Sequence, residues 1–299
     1  MKHNENNLIV SVVISTYNRK ELLKECIESL FDQTYPKDKY EIIIVDDGSI
    51  DKTKEMVKGL MKKSPCSLRY FKQENKGPAT ARNKGIKNAM GEIIAFTDDH
   101  CIADKDWLFH ISSCFFRNSN ISGVRGKVKL NSEGPLAEAL TKYIYKSKGS
   151  FATNNIAYKK KVLEEIDGFD ESFPLPASED IDLGLRIINK GHIIKYEDKA
   201  IVWHPCETDW NTFKKRRILA GVGLYYLMKK NKNFFVLVGF YRLIYVPIYW
   251  KAIKSGKNYS QNVILTANLL YHFIGFSRSM IDPKWPIKYF KDYKCKTKY

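Results

Sequence analysis

Blocks of apolar residues alternate with polar breaks along the first hundred positions. Leu8–Ser15, LIVSVVIS, is a continuous β-branched and apolar run, the pattern of a strand buried on both faces. The break TYNRK follows, then ELLKECIESLFDQ, whose Leu22, Leu23, Cys26, Ile27, Leu30 and Phe31 share one face of a 3.6-residue period and predict an amphipathic helix. EIIIV (Glu41–Val45) is the next strand and ends in DDGS; Ser49 and Asp51 are cap residues for a helix over DKTKEMVKGLMKK. LRYFKQ reads as a third strand, NKGPATARNKGIKNA as a Gly-Pro break with a helix from near Ala79, and EIIAF as a fourth strand. Strands alternating with helices predict an α/β domain with a mostly parallel sheet flanked by helices.

In such sheets ligands bind beyond the carboxyl ends of the strands. Three polar clusters sit there: Thr16-Tyr17-Asn18, Asp46-Asp47-Gly48-Ser49 and Asp98-Asp99-His100. Each alone is compatible with a solvated turn, since Asp-Gly favours turns for local reasons. Three such clusters, each after an apolar strand, point to a shared site.

Charge divides the chain. Of its 299 residues, those from Cys206 onward carry 18 Lys and Arg against 4 Asp and Glu, whereas the first 205 carry 32 against 29. Nearly all of the net charge of +17 therefore belongs to the last third. That third also holds two long apolar runs, Phe234–Trp250 and Val263–Phe276. A basic segment with such runs suits anionic headgroups above acyl chains better than nucleic acid, so an anionic membrane surface is expected and nucleic acid is not. The six cysteines show no CxxC spacing, which predicts free thiols in a reducing compartment rather than a disulfide framework or zinc site. The polar start MKHNENN and the short run after it predict no cleavable leader.

Five segments in order, SVVISTYNRKELLKECIESLFDQTYP, IIIVDDGSIDKT, NKGPATARNKGI, IIAFTDDHCIADKDWL and GFDESFPLPASEDIDLGLRIINKG, resemble the family 2 glycosyltransferases. The resemblance runs from about Ile9 to Pro205. It implies a GT-A fold, a Rossmann-like sheet, with a nucleotide-binding half over about 1–105 and an acceptor half over about 106–205. Residues 206–299 are then a basic helical region that associates with the membrane.

The implied reaction moves one sugar from a nucleoside-diphosphate sugar to an acceptor hydroxyl. A divalent cation, Mn²⁺ or Mg²⁺, would bridge the diphosphate oxygens, and hard cations prefer carboxylate ligands. The family motif is Asp-x-Asp or Asp-Asp-x; this chain departs from the strict form with His100 in third place. On that basis Asp99 is the first metal ligand, and Asp98 contacts ribose or metal. His100 is a nitrogen ligand or a bystander. Thr16 and Tyr17 would flank the nucleoside, Asp47 would hydrogen-bond the base, and the Arg82 fork would neutralise phosphate. In inverting members the Asp of a Glu-Asp pair is the general base. This maps to Asp180 beside Glu179, at a helix start where dipole and like charge act on the pair. Asp182 reads as a helix-turn acid. His204, in VWHP, is structural or completes the metal site, and Asn155 and Asp170 fall on the acceptor side.

No Gly-rich triphosphate loop follows the first strand, which argues against a nucleotidyltransferase. No QxxRW follows the Glu-Asp pair, which argues against a processive synthase. A catalytically degenerate scaffold and a basic nucleic-acid-binding protein are the alternatives. The acceptor expected is a lipid-linked or cell-surface glycan precursor, met at the cytoplasmic face of the membrane. Arg242 and Pro247 interrupt the first apolar run and the second is shorter than a span of about 20 residues, so interfacial helices are expected, with a membrane hairpin as the alternative.

Overall fold

The computed structural model describes residues 10–131, 151–173, 175–205 and 210–230, with 278, 279 and 282 besides. They fall into two compact units, one of residues 10–131, 151–171 and 180–205, the other including 172–179 and 210–230. Both long apolar runs of the last third lie outside the described residues.

The first unit is one eight-stranded sheet with helices on both faces. Its elements are β1 (Val10–Thr16), α1 (Lys20–Phe31), β2 (Tyr40–Asp46), α2 (Thr53–Met61), β3 (Ser67–Lys72), α3 (Pro78–Asn88), β4 (Ile93–Phe96) and β5 (Ile102–Ala103). They continue with α4 (Trp107–Arg117), β6 (Gly123–Leu130), β7 (Ile156–Lys159), α5 (Lys160–Glu165), α6 (Glu179–Asn189) and β8 (Ile194–His204). The strand order is β3-β2-β1-β4-β7-β6-β8-β5. β3, β2, β1 and β4 are parallel, as the alternating pattern predicts. β7 is antiparallel to both β4 and β6, and β6 and β8 are parallel to each other.

Two cores cover the two sheet faces, and the two-residue period of a strand explains the division. Val12 and Ile14 of β1 and Ile42 and Ile44 of β2 join α1, α2 and α4 through Leu23, Ile27, Val57, Trp107 and Ile111. Val13, Ile43 and Val45 point the other way, onto Ala81 and Ile86 of α3, Leu163 of α5 and Leu183 and Ile187 of α6. Each Val, Leu or Ile among them contributes about 1.5–3 kcal/mol on burial. Gly85 lets α3 lie close on β1: a Cβ there would stand 2.3 Å from a methyl of Val13.

Loops between strands and helices are tied by short-range polar contacts. The Asp51 carboxylate accepts from the backbone N–H of Lys20 and of Thr53, so one side chain caps α1 and α2 together. Ser49, expected to cap α2, instead accepts from the Asn18 N–H with its hydroxyl and joins the loops after β1 and β2. At the irregularity between β6 and β8, buried Asn155 donates from Nδ2 to the carbonyls of Lys127 and Ala200. Its Oδ1 accepts from the Trp107 indole N–H.

In the second unit α7 (Trp210–Lys230) packs Ile218, Leu219 and Val222 on Leu175. No helix among the described residues is long and apolar enough to cross a membrane.

Candidate active site

The carboxyl ends of β1, β2 and β4 lie along one sheet edge because the strands are parallel and in register, with Thr16 beside Asp46. β8 ends at that same edge, since β6 runs parallel to it and antiparallel to β7, which in turn opposes β4. After β4 the chain turns tightly, the Cys101 N–H donating to the Asp98 carbonyl at 3.1 Å. It then enters β5, which pairs Ile102 with Trp203 and Ala103 with Val202. This pairing sets His100 against His204 across 104 residues of sequence.

The two rings meet edge to face, with centroids 4.7 Å apart and Nε2 atoms 3.0 Å apart. His204 Nδ1 lies 2.6 Å from the Pro205 carbonyl oxygen, which only accepts, so Nδ1 carries the proton. His100 Nδ1 lies 3.0 Å from Asp99 Oδ1 and 3.1 Å from Arg19 Nη1. Toward the Asp99 carboxylate Nδ1 donates, whereas toward the donor-only Arg19 guanidinium it accepts, so the tautomer of His100 follows which partner it takes. With the His100 proton on the Asp99 side, each ring turns an acceptor nitrogen toward the other. Such an arrangement suits a cation between them, with a carboxylate or carbonyl behind each imidazole fixing its tautomer.

Asp99, expected as the first metal ligand, is placed behind His100. Its Oδ2 accepts from Thr16 Oγ1 at 2.8 Å and its Oδ1 pairs with Arg19 at 2.9 Å. Burial opposes its ionisation, but Arg19, His100 and Thr16 outweigh burial and hold the carboxyl well below the usual range. Asp98 faces the histidines: its Oδ2 is 4.0 Å from His100 Nε2, and its Oδ1 is 3.7 Å from the Arg82 guanidinium. One donor atom each from Asp98, His100, Cys101 and His204 lies within 4.8 Å of the other three. Carboxylate oxygen with two imidazole nitrogens is a donor set that fits a divalent transition ion. Burial, then Asp98, pushes the Cys101 thiol well up.

Arg82, buried on α3, lies over the Phe169 ring at 5.5 Å from the centroid and reaches Asp98, a position suited to phosphate oxygens near the site. Asp47 accepts from Gln73 Nε2 and from the N–H groups of Lys76 and Gly77, so its carboxylate pins the loop before α3 to the end of β2. Thr16 is buried and Tyr17 half-buried at the end of β1. Asp180, half-buried in the first turn of α6, accepts from the Ile181 N–H. Burial foremost, and then Asp180, raises the Tyr158 hydroxyl well above its ordinary value, which places the two groups in one neighbourhood. Glu179 is buried at the start of α6. Asp182 binds Arg186, which donates to the carbonyls of Ile166 and Gly168 and anchors α6. Asp170 is half-buried between Phe169 and Glu171, both held by Asn83. Asn155 spends its polar atoms on the strand junction described above.

Two contributors were not singled out from sequence, Arg19 and Cys101. Arg19 stands in TYNRK as an ordinary helix-start base, and only the long-range pairing with Asp99 gives it a role. Cys101 follows the acids directly, yet a single cysteine carries no spacing signal.

The description "Glycosyl transferase family 2" matches residues 11–166. The chain is 28% identical over 214 residues to glycosyltransferase AglE of Haloferax volcanii, covering 69% of this chain and 70% of that one. It is 27% identical over 241 residues to a Methanococcus voltae dolichyl N-acetyl-alpha-D-glucosaminyl phosphate 3-beta-D-2,3-diacetamido-2,3-dideoxy-beta-D-glucuronosyltransferase, covering 74% of each chain. Among solved structures, mannosyltransferase PcManGT from Pyrobaculum calidifontis in complex with GDP-Man and Mn²⁺ superposes with a TM-score of 0.62 at 20% identity, over 93% of this chain and 76% of that one. That likeness is one of fold, the mixed sheet with flanking helices of GT-A enzymes. With five motifs in order, a strand-end site and a matched domain spanning just over half its length, this chain belongs to glycosyltransferase family 2.

Proposed function

We propose that the protein is an inverting, non-processive, metal-dependent glycosyltransferase that moves one sugar from a nucleoside-diphosphate sugar to a hydroxyl of a lipid-linked or cell-surface glycan precursor. The observation that carries the reading is the meeting of Asp98, His100 and His204 at the sheet edge where the strands end. A divalent cation held by those three would neutralise charge that develops on the leaving diphosphate. Mn²⁺ suits two imidazoles better than Mg²⁺ does, and Mn²⁺ is the ion in the PcManGT complex. Asp99 then serves as the group that orients His100, in place of the ligand role expected from the motif.

Arg82 binds phosphate oxygens with its planar fork, held in place by the Phe169 ring behind it. Thr16 and Tyr17 line the nucleoside, and Asp47 shapes the adjoining loop and takes a hydrogen bond from the base. Asp180 accepts the acceptor hydroxyl's proton at its carboxylate as that oxygen attacks the anomeric carbon, with Glu179 beside it keeping the helix start anionic. Attack from the face opposite the diphosphate inverts the anomeric centre.

A lipid-borne acceptor is supported by the name of the Methanococcus voltae relative, a transferase to a dolichyl-linked sugar, and by the basic last third of the chain. The enzyme would meet it from the cytoplasmic side, held at the anionic surface by that third. The test is a panel of nucleotide sugars screened for release of nucleoside diphosphate. One donor should be turned over in Mn²⁺ and none in chelator; an α-linked donor should give a β-linked product. A retained linkage would overturn the role of Asp180.

A further inference from the structure

Cys101 is the fourth member of the cluster and has no part in the reading above. Its side chain is fully buried, so it forms the inner wall of the site, and its Sγ lies within 4.8 Å of the donor atoms of Asp98, His100 and His204. The Asp98–Cys101 turn fixes its backbone, since its N–H donates to the Asp98 carbonyl. A tetrahedral ion with bonds of about 2.3 Å to sulfur and 2.0–2.1 Å to nitrogen has S···N edges of about 3.5 Å and N···N edges of about 3.4 Å. The two imidazoles already stand at 3.0 Å. Drawing the sulfur in from the observed spread takes a side-chain movement of about 1 Å, using edge lengths from the same bond values.

We propose that Cys101 is a metal-discriminating ligand. An ion that favours sulfur, Zn²⁺ foremost, is bound by all four groups, whereas Mn²⁺ leaves the thiol out. The difference follows from donor chemistry. Mn²⁺ is weakly attracted to sulfur and stands at the low end of the divalent affinity series, so it rests on Asp98 and the two imidazoles with open positions for diphosphate oxygens. Zn²⁺ binds thiolate strongly and is satisfied by four ligands in a closed tetrahedron. Its binding exchanges the Cys101 S–H bond for a Zn–S bond, and the proton leaves to solvent with the ion's displaced waters. Four protein ligands leave no position for a diphosphate, so the same cluster serves as a working site for one ion and a closed one for another. This rests on the reading that Asp98, His100 and His204 hold the working cation.

The test uses Co²⁺, a spectroscopic substitute for Zn²⁺, on the full-length metal-free protein. Wild type should show tetrahedral ligand-field bands in the visible and a sulfur-to-cobalt charge-transfer band in the near ultraviolet. In Cys101→Ser and Cys101→Ala the ultraviolet band should vanish while visible bands persist. Competition against a chelating dye should show Zn²⁺ affinity falling by about tenfold or more in both variants and Mn²⁺ affinity holding within about twofold. Visible bands without the sulfur band in wild type would overturn the role of Cys101 and leave the cation site standing. No Co²⁺ bands at all would sink the cation site, and this proposal with it. The wild-type spectrum decides even if the buried variants fold poorly.

Discussion

The Nε2 atoms of His100 and His204 face each other at 3.0 Å, while the Nδ1 of each ring is committed to an oxygen behind it, Asp99 Oδ1 and the Pro205 carbonyl. In the tautomers that donate to those oxygens both Nε2 atoms are acceptors, and a positive charge between them, a cation or a shared proton, relieves their repulsion. The second strand pair that brings them together, β5 with β8, is only two residues long on its short side. The polar shell of Asp99, Arg19 and Thr16 holds the His100 side of the site, and the β5–β8 pairing brings His204 to it.

That shell gives the first prediction. Asp99→Asn keeps the shape but replaces an ionised acceptor with an amide that can present a donor to His100 Nδ1. Metal affinity should fall by roughly 10–100-fold, the usual effect of losing a group that orients a ligand. Titration of Mn²⁺ into both proteins, with circular dichroism to show the fold intact, measures it. Unchanged affinity would remove Asp99 from the site.

Arg19→Met tests the same shell from outside. The ionised Asp99 carboxyl is stabilised on folding, so this contribution is full above the ordinary carboxylate value near 4 and is lost as pH falls through the depressed folded value. Arg19→Met should lower stability at pH 7 by about 2 kcal/mol, a hydrogen bond to a charged group. The gap to wild type should narrow below about pH 4, as Asp99 protonates in the unfolded chain and in the variant. Urea unfolding across that range reads both; a gap that widens in acid would contradict the ion pair.

Asn155→Leu should destabilise the fold by about 3 kcal/mol, because two buried carbonyls and the Trp107 indole N–H lose their partner at once. Chemical denaturation measures it. A loss of transfer with no loss of stability would return Asn155 to the acceptor-binding role expected from its motif.

Much of this was legible in the chain. The runs Val12–Ile14, Ile42–Val45 and Ile93–Phe96 are continuous and apolar because both sheet faces are covered, and the helix from the Gly-Pro break begins at Pro78, one residue before Ala79. The order of β6, β7 and β8 was not legible, since their pairings join segments far apart and their short runs carry no directional mark. Neither were the different partners of the two acids, His100 Nε2 and Arg82 for Asp98 against Thr16 and Arg19 for Asp99. Alternation along a strand would assign them, but β4 stops at Phe96 and the turn that follows sets its own directions. Asn155 is ambiguous in the sequence for a related reason: a buried amide that ties strands together and one that binds a sugar have the same sequence.

Asp180→Asn separates binding from chemistry. It should leave affinity for the nucleotide sugar within about twofold while transfer falls by roughly 10²–10⁴-fold, the effect of removing a general base. Equilibrium binding and single-turnover rates, taken together, distinguish this from a loss of donor affinity.

The full chain should bind vesicles rich in anionic lipid, bind neutral ones weakly, and release in part at high salt, given 18 basic against 4 acidic residues from Cys206 onward. Equal binding to neutral and anionic vesicles would mean that charge is not what holds it there.

The most direct test of the central claim compares wild type with His204→Ala for nucleoside-diphosphate release across a Mn²⁺ titration, using the donor the panel identifies. Turnover should vanish in chelator, return with Mn²⁺ in wild type, and require roughly 10–100-fold more Mn²⁺ in the variant, with the same donor affinity in saturating metal. Turnover that persists in chelator, or a variant with the wild-type Mn²⁺ requirement, would contradict a metal centre built on Asp98, His100 and His204.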